Sequence, residues 1–177
     1  GVLFTSRGCP YKCIYCHNIF GKTFRYRSAQ SIYDEIVYLN NKYGINDFCI
    51  VDDNFTFNRE RVDEFTTKII DSNLKLNLYF PNGLRADSLN YERVDRLIQA
   101  GMIWVTFSLE TASERLQRFI KKNVDIAKLE RIVNYCCEKG VITNLCMMVG
   151  FPTESLTEAE ESLNYLARFK KLVMPYY

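Results

Sequence analysis

Cys9, Cys13 and Cys16 fall in the run Cys9-Pro10-Tyr11-Lys12-Cys13-Ile14-Tyr15-Cys16, just after the apolar stretch Val2-Leu3-Phe4. Three thiols this close in sequence point to a metal site. Three residues separate the first pair and two the second, so one tight turn of backbone can aim all three sulfurs at one point, as iron–sulfur ligation by thiolates requires. A cubane cluster has four irons. Unless a fourth ligand arrives from elsewhere, three cysteines leave one iron with open coordination, where a small molecule can bind and react. A zinc knuckle needs a fourth ligand, and His17, the single histidine of the chain, adjoins Cys16 too closely to share its metal. A closed electron-carrier cluster needs a fourth cysteine, yet the next, Cys49, lies in a predicted buried strand. A disulfide framework is disfavoured by the odd count of seven cysteines, by the lack of a secretory signal, and by an apolar fraction of 47% that builds a core unaided. Cys49, Cys136, Cys137 and Cys146 read as core, since buried cysteine behaves as a small apolar residue.

The elements that must position this loop repeat as strand, loop and helix. Ile32, Ile36, Leu39 and Tyr43 share one face of a predicted helix, capped by Ser28 or Ser31 and ended by Gly44. Phe48-Cys49-Ile50-Val51 is an apolar run, as expected of a parallel strand covered on both faces, and it finishes in Asp52-Asp53-Asn54. A second helix, from Asn58 to Asn73, sets Val62, Phe65 and Ile69 on one side. Leu76, Leu78 and Phe80 form the next strand, expected to end at Pro81-Asn82-Gly83, and Val94, Leu97 and Ile98 mark a helix ended by Gly101. Met102 to Phe107 make a strand with Ser108-Leu109-Glu110 at its end. A longer helical region starts at Ser113, breaks near Asn123, carries Leu129, Ile132, Val133 and Cys136, and stops at Gly140. Val141 to Val149 lead into Gly150-Phe151-Pro152. The last helix is expected to carry the capping box Thr157-x-x-Glu160 and an apolar face of Leu163, Leu166 and Phe169, with Leu172-Val173-Met174 beginning a sixth strand.

Strand and helix alternating in this way argue for parallel βαβ units that wind right-handed toward a barrel. A complete eight-fold barrel needs about 250 residues, so the expected fold class is α/β: an open, partial (β/α)6-type TIM barrel of five to six parallel βα units. Parallel topology sends every strand's C-terminal end to one rim, where barrel active sites form. The cysteine loop belongs to that rim, with Asp52, Asp53 and Asn54, then Asn82, then Ser108 and Glu110, then Gly150. Polar residues around one mouth suit a polar cofactor. For each, a strand-end turn or cap is the competing reading.

Cys9-x3-Cys13-x2-Cys16, with Tyr15 just before the last cysteine, resembles the cluster loop of the radical S-adenosylmethionine (SAM) superfamily. The wider run Thr5 to Cys16, with Asp52-Asp53-Asn54-Phe55 and Gly83-Leu84-Arg85-Ala86-Asp87, is similar to the branch often associated with a cobalamin-binding domain. The resemblance runs from residue 1 to about residue 170 and implies a partial barrel of six units. It also implies a [4Fe-4S] cluster on Cys9, Cys13 and Cys16, and SAM on the open iron. One electron passed into the sulfonium would give methionine and a 5′-deoxyadenosyl radical that abstracts hydrogen from an unknown substrate. Tyr15 is then expected near the adenine. One of Asp52, Asp53 and Asn54 stands where the family's Gly-Gly-Glu stretch holds the methionine ammonium, a departure that leaves the choice among the three open. Ser108 and Glu110 are candidates for the ribose hydroxyls or the methionine end, and Gly150 for close backbone approach to the adenosine. Cobalamin-dependent methyl transfer or cyclisation is the expected reaction class, with cobalamin held in a domain outside this chain. A methylthiotransferase and a non-catalytic iron–sulfur electron-transfer module are the alternatives.

At 177 residues the chain is one domain. It opens on Gly1 within a strand, which reads as residues 1–177 of a core domain cut from a longer protein, with upstream and downstream domains outside it. No run of about 18 apolar residues could span a membrane, and the expected location is cytoplasmic. With 23 basic and 21 acidic side chains, overall charge gives no reason to expect nucleic acid as partner. Residues 1–33 nevertheless hold Arg7, Lys12, Lys22, Arg25 and Arg27 and no carboxylate. Such a loop is either a solvated basic surface or a dock for an acidic electron donor of the flavodoxin or ferredoxin type.

Overall fold

The computed structural model describes residues 1–169 and 174–176. Strand β1 (Val2–Leu3) opens the chain, and the short strands β2 (Ser6–Arg7) and β3 (Arg25–Tyr26) pair antiparallel. That small ribbon, which sequence periodicity did not announce, laces together the two ends of the cysteine loop. Helix α1 (Ala29–Tyr43) starts where the Ser28 hydroxyl accepts the Ser31 N–H, so Ser28 is the cap. Strand β4 (Asp47–Ile50), helix α2 (Arg59–Ser72) and strand β5 (Asn77–Leu84) follow, then a 3-10 turn at Ala86–Ser88 and helix α3 (Tyr91–Gln99). Strand β6 (Met102–Glu110), helices α4 (Glu114–Phe119) and α5 (Ile126–Glu138), strand β7 (Ile142–Met147), helix α6 (Leu156–Leu166) and strand β8 (Met174–Tyr176) complete the order.

The six strands β1, β4, β5, β6, β7 and β8 lie side by side in that order, every pair parallel. This is the open α/β partial barrel the alternation predicts. The apolar runs form its wall: Phe48, Leu78, Phe80, Val105, Phe107 and Leu145 are all buried, each contributing about 1.5–3 kcal/mol of transfer free energy. Helix faces close over them with Ile32, Ile36, Val62, Phe65, Val94, Leu97, Leu129 and Val133.

Four expectations need correction. Strand β5 does not end at Pro81 but runs on to Leu84, which pairs with Phe107 after an irregularity between Phe80 and Leu84. A bulge of this kind absorbs the N–H that proline lacks and re-aims the strand end. Strand β6 likewise extends through Ser108 to Glu110, with a register shift between those two. The capping box of α6 is Ser155 with Glu158, not Thr157 with Glu160. Of the expected apolar face, Phe169 is buried and Leu166 packs against the core, but Leu163 is 47% exposed, and Ser162 and Tyr165 complete the inner side. Of the expected sixth strand, Leu172 and Val173 lie outside the described residues, and Met174 begins β8.

Candidate active site

The cysteine loop is held from beneath by the residues that follow β4. Asp52 is turned inward: its carboxylate accepts the Thr5 N–H at 2.6 Å, the Thr5 hydroxyl at 2.5 Å and the Ser6 hydroxyl at 2.6 Å. Arg61 stands 3.7 Å from it and donates to the Thr5 carbonyl and hydroxyl and to the Phe55 carbonyl. Burial pulls the Arg61 guanidinium below its ordinary pKa, and the Asp52 charge opposes that shift. Asp53 faces the other way. It accepts the Gly8 N–H at 3.0 Å and lies 3.5 Å from His17 Nε2, while Asn54 Nδ2 approaches Cys9 Sγ at 3.9 Å. Gly8 must be glycine, since its φ is 83° and a Cβ there would overlap the Thr23 carbonyl oxygen.

Above this platform lies a cavity of about 350 Å³ lined by all three cysteines. Tyr15, Asp53, Asn54, Asn82, Ser108 and Glu110 also line it. Asp52 and Gly150 do not: the Gly150 N–H is taken by the Glu154 carboxylate on an exposed turn. The rim topology therefore gathers six of the eight cofactor-binding candidates with the thiols. Gly83 lets Ser108 reach the cavity, because a Cβ there would collide with Ser108 Oγ, and Asn82 ties β5 to the end of β4 through the Val51 carbonyl at 2.8 Å.

Among the lining residues that sequence reasoning did not name as site candidates are Tyr11, Arg85 and Lys122. Lys122 Nζ donates to Glu110 Oε1 at 2.8 Å and to the Tyr15 hydroxyl at 3.0 Å, and Tyr15 donates to the same Glu110 oxygen at 3.0 Å. Burial, then the Glu110 and Cys13 charges, push the Tyr15 phenol far above its ordinary pKa, so it is a fixed donor. Arg85 makes two hydrogen bonds to Asp87, at 3.0 and 2.6 Å, and lies over the Tyr11 ring at 4.0 Å. The signal for Arg85 was its place beside Gly83 at a strand end. For Lys122 it was a basic residue in the helix break after Glu110.

The donor set suits a multi-iron cluster better than a single ion. Among the described residues, no group of three or more His, Cys, Asp or Glu side chains is placed to hold one metal ion, while the three cysteines line one cavity. In a cubane each thiolate bonds a different iron, so the three sulfurs need not converge on one ion. Burial, with Cys9, Cys13 and Asp53, raises the Cys16 thiol, and Lys22 opposes. Asn54 Oδ1 is buried with no hydrogen-bond partner, an acceptor waiting for a donor beside the thiols.

An open parallel barrel whose rim gathers three cysteines and a polar cradle defines a class of iron–sulfur catalytic cores. Residues 3–166 match the radical SAM superfamily, and the chain belongs to it. It is 29% identical to an uncharacterized methyltransferase of Pyrococcus horikoshii over 178 residues, 99% of this chain and 38% of that protein. It is 29% identical to the cytidylyl-2-hydroxyethylphosphonate methyltransferase of Streptomyces wedmorensis, over 93% of this chain and 32% of that one. The match to the anaerobic magnesium-protoporphyrin IX monomethyl ester cyclase of Rubrivivax gelatinosus is 27%, over 89% and 28% of the two chains. The radical SAM methyltransferase TsrM of Kitasatospora setae, solved with cobalamin and a [4Fe-4S] cluster bound, overlays with a TM-score of 0.82 at 20% identity, covering 94% of this chain and 34% of that one. At that identity the overlay speaks for the fold. The chain spans about a third of the length of these curated relatives.

Proposed function

We propose that this chain is the catalytic core of a radical SAM enzyme acting in cobalamin-dependent methyl transfer or cyclisation, with cobalamin carried by a domain outside residues 1–177. The observation that carries the reading is the shared cavity: three cysteines, a buried orphan acceptor, and both signs of charge converge there. When bound, the [4Fe-4S] cluster and SAM supply one-electron cleavage of a sulfonium. The chain supplies placement. Cys9, Cys13 and Cys16 would hold the cluster, Asp53 and Asn54 Oδ1 would accept the methionine ammonium, and Arg85 would face its carboxylate. Ser108, Asn82 and Glu110 offer partners to ribose hydroxyls, and the Tyr15 ring offers a face to the adenine. Asp52, committed to Thr5, Ser6 and Arg61, serves as the anchor of the loop.

Arg7, Lys12, Lys22 and Arg25 are exposed around the loop, which supports an acidic one-electron donor as partner. No helix of the described residues is long and apolar enough to cross a membrane. No disulfide joins the cysteines, which supports a reducing, cytoplasmic location. Anaerobic reconstitution, iron and sulfide determination, then reduction with SAM present test the reading. Formation of 5′-deoxyadenosine is expected; a cluster that reduces without yielding it would leave an electron-transfer module.

A further inference from the structure

The connection between α4 and α5 grips the cysteine loop at three points. The Ile120 carbonyl accepts the Ile14 N–H at 3.0 Å. Lys122 Nζ bonds both the Tyr15 hydroxyl and the Glu110 carboxylate. The Lys122 carbonyl accepts from Arg85 at 3.0 Å, and Arg85 covers Tyr11. Tyr11, Ile14 and Tyr15 interleave with the three cysteines, so each grip acts on the segment that must present the thiols.

The connection is expensive to hold in shape. Lys121 and Asn123, on either side of Lys122, take left-handed φ values of 55° and 48°, and Glu110 takes 71°. Such conformations in residues other than glycine persist only where the surroundings over-determine them. Here Gln117 does so: its carbonyl accepts the Lys122 and Asn123 N–H groups, and its side chain bonds the Leu109 and Thr111 carbonyls and the Val124 N–H. The result is a lysine side chain only 5% exposed, although a long cationic chain ordinarily carries its head to water. Its head sits against the loop that carries the cysteines.

We propose that Lys122 is a positioning residue which, through the Tyr15 hydroxyl, clasps the cysteine loop in its cluster-accepting shape before any SAM arrives. The proposal rests on the cluster reading above. Its test uses the full chain, reconstituted anaerobically without SAM, and the rate at which a chelator strips iron from it. Lys122→Met and Tyr15→Phe are each expected to lose iron about tenfold faster, through loss of the charge-assisted Lys122–Tyr15 hydrogen bond together with each residue's own bond to Glu110 Oε1. The double variant is expected to be clearly less than additive, because both changes break the shared Lys122–Tyr15 contact within one network. Lys122→Arg is expected to restore most of the retention. Additive effects, or Tyr15→Phe stripping at the wild-type rate, would overturn the clasp; the second result decides even if Lys122→Met fails to fold. A wild-type chain that takes up no iron would sink the cluster reading as well, whereas normal loading with an unmoved Tyr15→Phe sinks the clasp alone.

Discussion

Asp52→Asn separates an anchor from a ligand. The side chains of Asp52 and Arg61 are 0% and 3% exposed, so the pair is sealed from water. The substitution keeps volume and shape. An amide oxygen can still accept the Thr5 N–H, and an amide nitrogen placed at the other oxygen's position can donate to the Thr5 and Ser6 hydroxyls once these rotate. What disappears is the charge, and with it the counter-ion of a buried guanidinium. Breaking a buried pair from one side costs about 3–5 kcal/mol, against a total stability of about 5–15 kcal/mol for a domain. With a urea dependence of about 2 kcal/mol per molar, the unfolding midpoint should fall by about 2 M.

Urea titration followed by circular dichroism measures this shift on the chain without cofactors. Arg61→Met added to Asp52→Asn should recover part of the loss, because the uncompensated cation is then gone and the aliphatic stem still packs on Phe55, over whose ring the guanidinium lies at 5.0 Å. If Asp52→Asn leaves the midpoint where it was and instead abolishes SAM binding, the carboxylate faces the cavity in solution. The assignment of the ammonium site to Asp53 and Asn54 would then be wrong.

Cys13→Ala should prevent cluster assembly while Cys136→Ala keeps full iron content; equal iron loss in both, by iron and sulfide assay, would overturn the sorting of the cysteines. Thr153 holds a φ of 72°, costly for a β-branched residue, so Thr153→Gly should stabilise by about 1 kcal/mol and raise the melting temperature by a few degrees. Burial, with Cys137 adding to it, pushes the Cys136 thiol up to about 12, against about 8.5 when unfolded. The folded state favours the neutral thiol, so this contribution is complete below the unfolded value and is lost as pH rises from about 9 toward 12. Cys136→Val should flatten the alkaline limb of a stability–pH curve, and an unchanged limb would count against a buried thiol.

Helix caps were legible because they are local: Ser28, Asn58, Ser113 and the left-handed Gly44 and Asn73 act within one turn of backbone. The rim was legible for a different reason, since parallel strands send their ends to one side whatever the details of packing. The failures mark where a choice is made at a distance. Asp52 and Asp53 are neighbours at a strand end and must face opposite ways; which one faces inward is fixed by Arg61, contributed by α2, and by Thr5 at the start of the cysteine loop. Ser155-x-x-Glu158 and Thr157-x-x-Glu160 both satisfy the capping pattern. Arg115, bonded to both Glu158 oxygens at 2.8 and 2.7 Å, and Ser113, bonded to one at 2.7 Å, favour the first. Lys122 is the extreme case, because neither periodicity nor capping rules assign a lysine in a helix break to a site built by β6 and the cysteine loop. Its role exists only once Glu110 and Tyr15 have been brought within 3.0 Å of each other. Residues that bind are thus readable from the ends of elements, whereas residues that orient the binders need the partners in place first.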